Sequence, residues 1–90
     1  MDLNIIYKNK ENYYNLANNY FNQLDSDELE INDLSVIFPK SISILIDHDF
    51  IPTPCIEIKL NILQNQKEVG DYFLYINEKK EFIDEFLVMY

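Results

Sequence analysis

The chain has no arginine: all seven of its basic residues are lysines. It therefore has no guanidinium fork to grip a phosphate or a base edge in bidentate fashion. Its one glycine, Gly70, excludes glycine-rich phosphate loops and dinucleotide fingerprints. Its one cysteine, Cys55, excludes an intrachain disulfide, whereas small secreted domains usually carry several cysteines. Its one histidine, His48, leaves no paired-histidine spacing, and a zinc site needs three or four ligands of the right kind. The segment Met1–Lys10 has neither the basic start nor the long apolar stretch of a signal peptide. No apolar run approaches the roughly 20 residues that cross a bilayer as a helix. The expected location is the cytoplasm.

What is present is apolar and acidic. Ninety residues, 48% of them hydrophobic, can bury one core, so residues 1–90 are expected to form a single domain. Seven tyrosines and six phenylalanines supply much of that core. Sixteen acids against seven lysines leave a net charge of −9. Such a surface repels nucleic acid and anionic membrane and attracts basic proteins.

Periodicity divides the chain. Tyr13, Leu16, Ala17, Tyr20 and Leu24 form a helical stripe, which predicts a helix over residues 9–24 with Asn9 as its N-cap. The acidic segment 25–33 reads as a loop, followed by a short strand or turn that ends at Pro39. A strand follows, with Ile42, Ile44 and Ile46 on one face. In the next, Ile56, Ile58, Leu60 and Ile62 oppose Glu57, Lys59 and Asn61, so one face is wet. Residues 69–77 place Tyr72, Leu74 and Ile76 opposite Asp71, Phe73 and Tyr75. The last strand is FIDEFLVMY, Phe82–Tyr90. Short polar turns join these strands, which predicts hairpins. The expected fold is α+β: an N-terminal helix packed on an antiparallel sheet of about four strands.

The last strand poses a puzzle. Simple alternation puts Asp84 on one face and Glu85 on the other, so neither face is clean. An unpaired buried carboxylate is costly. Either the two acids sit at the rim of the sheet, or a β-bulge re-aims them. Both arrangements would bring them near Lys79 and Lys80 for pairing.

Groups able to do chemistry are sparse. Asp47-His48-Asp49 could orient an imidazole or contribute metal ligands, but a polar inter-strand loop braced by Pro52 and Pro54 is the favoured reading. Cys55 at a strand start behaves as a small buried hydrophobe unless the loop folds it against His48. No catalytic, metal or cofactor site is expected, and the chain reads as a non-enzyme. Tyr7, Tyr14, Phe21 and Tyr75 lie off the apolar stripes and are candidate contact tyrosines and phenylalanine. The candidate partner-binding acids are Asp25, Asp27, Glu28, Glu30, Asp33, Asp47, Asp49, Asp84 and Glu85. The ordinary alternative for the first five is a solvated loop.

The final hairpin resembles that of small bacterial immunity proteins. Gly70, Tyr72, Leu74 and Ile76, then Ile83, Asp84, Glu85, Phe86 and Leu87, carry the likeness. The turn departs from it, with Asn77-Glu78-Lys79-Lys80 where Asp and Gly are common. The resemblance implies a cognate inhibitor in a contact-dependent or other polymorphic toxin system. Its partner would be a toxin domain, in many cases a nuclease with a basic cleft. A phage-type inhibitor, such as an anti-CRISPR or nucleic-acid mimic, shares the size and charge. So does a non-enzymatic adaptor subunit, whose acidity would serve solubility and which could form homo-oligomers.

Overall fold

The computed structural model describes residues 1–24 and 35–90. Two helical pieces, α1 (Leu3–Lys8) and α2 (Lys10–Asn22), precede four strands. The strands are β1 (Ser35–Leu45), β2 (Cys55–Gln64), β3 (Lys67–Ile76) and β4 (Phe82–Met89). They lie side by side in chain order, each antiparallel to the next. This is the expected α+β architecture.

The helix begins earlier than the stripe predicts. Asp2 caps α1, its Oδ1 accepting the Asn4 N–H at 2.8 Å. Asn9 is the joint between the two pieces, and its side chain caps nothing on α2. The Asn9 amide instead donates back to the Ile5 carbonyl at 2.8 Å. Short amide side chains often find such local backbone partners. The buried face of α2 runs through Tyr13, Ala17 and Phe21, with Leu16, Tyr20 and Leu24 at its margins. Phe21, expected off the stripe, stands edge-on to Tyr72 at 5.4 Å between ring centres.

α2 lies across β2 and β3. The alternation read in those strands holds: Ile56, Ile58, Leu60, Ile62, Tyr72, Leu74 and Ile76 are all buried beneath it. Register pairs Ile58 with Leu74 and Leu60 with Tyr72. The β2–β3 connection is a tight turn with Asn65 and Gln66 both at positive φ, 52° and 66°. That is the backbone a two-residue hairpin of matching twist requires.

Pro39 does not end a strand. β1 runs through it, with a register shift between Pro39 and Ser41 opposite β2. An edge strand can hold a proline because one side of it has no ladder to feed. Lys40 is the extra residue of that bulge.

Gly70 is required by close approach rather than by φ, which is not positive. A Cβ built there would sit 2.7 Å from both the Val88 carbonyl oxygen and the Met89 Sδ. The carbonyl is backbone and cannot rotate aside. Gly70→Ala is therefore expected to push β4 outward and cost about 1–3 kcal/mol, as overpacking does. Urea titration checks this; an unchanged midpoint would show that β4 is not held tightly at this point.

Candidate protein-interaction surface

One face of the sheet carries α2. The other carries no helix among the described residues, and cross-strand register arranges it in rows. Phe38, Asn61, Asp71 and Val88 form one row. Ser41, Lys59, Phe73 and Phe86 form the next, and Ser43, Glu57, Tyr75 and Asp84 the third. Phe38, Phe86 and Val88 are each about half exposed (48%, 47% and 48%).

A polar cluster stands at the centre of these apolar groups. Asp71 is only 6% exposed. Its Oδ1 accepts from Asn61 Nδ2 at 3.0 Å and from Lys40 Nζ at 3.3 Å. Its Oδ2 accepts from the Tyr90 hydroxyl, with Lys59 Nζ 3.9 Å away. Burial pushes the Asp71 carboxyl up, but the bonds from Tyr90, Asn61 and Lys40, with the Lys40 charge, outweigh it and hold the carboxyl below its ordinary range. The same bond pushes the Tyr90 hydroxyl up to about 12. Asn61 also donates to the Gly70 carbonyl at 3.1 Å, which ties the cluster to the backbone. Lys59 lies over the Phe73 ring, 5.0 Å from its centre.

The loop between β1 and β2 crosses one end of this face. Ile51 is buried there against Cys55 and Tyr75, with Leu45, Phe73 and Ile83 beside them. Tyr75, expected as a contact residue, is buried, and its hydroxyl donates to Glu57 Oε2 at 2.9 Å. Burial, then the Glu57 charge, raises the Cys55 thiol, which suits a packed hydrophobe better than a nucleophile. His48 Nδ1 accepts the N–H groups of Phe50 and Ile51 at 3.0 and 3.1 Å, so the imidazole shapes the loop. Among the described residues no group of acids, cysteine and histidine is placed to hold a metal.

β4 does contain a bulge, but it does not re-aim the two acids, which stay one on each face. Tyr75 pairs with Asp84 and Ile76 with Phe82, so Ile83 is the extra residue. The bulge sends Phe82 to the helix side, where it meets Tyr20 at 5.2 Å, and Ile83 to the open side. Glu85 lies on the helix side and accepts the Tyr72 hydroxyl at 3.2 Å. Asp84 stays on the open side, its Oδ1 accepting the Glu85 N–H at 2.8 Å. Pairing with Lys79 and Lys80 is not what happens: no such ion pair exists among the described residues. Lys80 stands over the Tyr13 ring instead.

Of the candidate acids, Asp47, Asp49 and Asp84 are exposed at the same end of the sheet, while Glu85 is half-buried. Asp25, Asp27, Glu28, Glu30 and Asp33 lie outside the described residues. Tyr7 is exposed and Tyr14 half-buried. The Asp71 cluster escaped the sequence reading. The two-residue turn at Asn65-Gln66 alone would pair Asn61 with Gly70; a register shift at Ile62/Leu63, with Val69 as the extra residue, brings Asn61 opposite Asp71. An apolar hollow of about 440 Å³ lies between the helices and β1, lined by Leu3, Ile6, Tyr7, Tyr14, Ile42 and Ile44 among others.

No helix among the described residues is long and apolar enough to cross a membrane. No family model, curated protein or solved structure matches this chain.

Proposed function

We propose that this chain is a cytoplasmic binding protein that neutralises a basic toxin domain, in the manner of a bacterial immunity protein. The observation that carries the proposal is the sheet face opposite α2. It sets half-exposed Phe38, Phe86 and Val88 around a prebuilt polar centre, in a chain of net charge −9. Aromatic anchors around satisfied polar groups are what a protein interface uses. Asp47, Asp49 and Asp84 rim one end of that face and would steer a basic partner into register. A nuclease domain is the favoured target because its cleft must be basic to hold a phosphate backbone.

The exposed apolar groups also fit an adaptor subunit, which would hold its partner at high salt. The triple variant Asp47→Lys, Asp49→Lys, Asp84→Lys separates the two. For an electrostatically steered inhibitor, association with the captured partner at low salt should slow roughly tenfold or more, with little change in dissociation. Stopped-flow association across a salt series checks this. An unchanged association rate would remove the steering role from these acids.

A further inference from the structure

The two edges of the sheet are built differently. β1 carries Pro39, which has no N–H to offer, and a bulge at Lys40. Both features blunt an edge against pairing. β4 has neither proline nor lysine, and its register against β3 is regular from Asp84 to Met89. The Tyr90 N–H bonds to the Val69 carbonyl at 2.8 Å, so Tyr90 faces β3. Alternation along an antiparallel ladder then turns Phe86 and Val88 inward, and Glu85, Leu87 and Met89 outward. The outward N–H of Glu85 is met by the Asp84 carboxylate. That carboxylate closes the first rung of the edge. The backbone groups of Leu87 and Met89 have no strand beside them among the described residues.

We infer that the β4 edge from Glu85 to Met89 takes up an extended segment of a partner protein, apolar at its centre and carrying a lysine or arginine where it passes Asp84 and Glu85. This rests on the proposed function in one respect, that the segment belongs to a cationic protein. Main-chain bonds supply affinity in strand addition, and flanking side chains supply choice. Here Phe86 and Val88 flank the added strand on the open side, and Leu87 and Met89 on the helix side. Charge selects the occupant. β4 has two carboxylates and no cation, in a chain of −9. A second copy would lay one acidic β4 along another and bring no cation to either pair of acids. A basic segment satisfies both, and on binding it can also draw the Asp84 carboxylate off the Glu85 N–H and open that rung.

The test uses the full chain and two synthetic probes. One is a seven-residue peptide of alternating valine and threonine with lysine at both ends; the other is its glutamate-ended twin. Backbone amide shifts at Glu85, Leu87 and Met89 should move with the lysine-ended peptide, which should bind roughly tenfold tighter than its twin at low salt. Leu87→Pro deletes an outward N–H without touching a bond to β3, and should weaken binding roughly tenfold. Val88→Lys keeps every backbone group and should weaken the lysine-ended peptide alone. The inference is overturned if the shifts map to another surface, if both peptides bind alike, or if the protein alone sediments as a dimer that Leu87→Pro dissolves. A basic protein captured equally by wild type and Leu87→Pro overturns the edge site and leaves the binding-protein proposal standing. Peptide pairing at β4 in a chain that captures no basic protein supports the edge and removes the toxin.

Discussion

Tyr72→Ala is expected to cost about 3–5 kcal/mol, the range for large aromatic truncations in a core. Tyr72 is fully buried at the middle of β3. Its ring meets Phe21 edge-on, which is how α2 is keyed to the sheet. Its hydroxyl donates to Glu85 on β4. Burial, then the Glu85 charge and that bond, push the hydroxyl far above its ordinary range, so it donates at every working pH. Truncation thus removes one side chain that joins three elements. At about 4–8 °C per kcal/mol for a domain this size, the melting temperature should fall by roughly 15 °C or more. Tyr72→Phe keeps the ring and should cost only about 1 kcal/mol, chiefly from the bond that Glu85 loses. Thermal melts of both variants check this. Near-equal losses would show that the hydroxyl, not the packing, anchors β4.

Asp71→Ala carries the second large effect, about 2–3 kcal/mol, because Asn61, Tyr90 and Lys40 lose a shared acceptor. The figure stays below that of a deeply buried ion pair because both lysines are partly exposed and can rehydrate. The sign with pH follows from the carboxyl being held below its ordinary value of 3.8. A carboxylate with a depressed folded value adds stability that is fully present above the unfolded value. That stability is lost as pH falls through the folded one. Wild type should therefore weaken on acidification below about pH 4, and Asp71→Asn should lack that component while keeping much of the geometry. Urea midpoints at neutral and acid pH read both effects. A variant with the same acid slope as wild type would show that other carboxylates govern it.

The sheet was largely legible because alternation is a local signal. β2 and β3 carry it from Ile56 to Ile62 and from Gly70 to Ile76, and one register joins those stretches; the shift at Val69, next to the turn, left no mark in the alternation. A bulge in β4 was legible as an alternative, but its effect was not: it turns Phe82 to the helix side and leaves Asp84 and Glu85 one on each face. What was not legible depended on neighbours. Pro39 reads as a stop unless β1 is known to be an edge. With β1 cut short, Lys40 could not be placed over Asp71. Asn9 reads as a cap unless the turn before it is already helical. Phe21 belongs to the buried face because that face is centred on Ala17, less than half a residue's rotation from the middle of the stripe inferred. Tyr75 reads as exposed until the loop carrying Ile51 folds over it. Each of these is a tertiary fact that overrides a local preference.

The most direct test of the central claim is inhibition. The tagged chain is used to capture its partner from a lysate, the partner is released at high salt, and its activity on nucleic acid is measured with and without this protein. The account predicts a basic protein whose nuclease activity falls to background at one equivalent of the wild-type chain, and falls more slowly after mixing at low salt when Asp47, Asp49 and Asp84 are lysines. An active partner left unaffected by saturating wild-type chain, or a neutral partner retained at high salt, would contradict it.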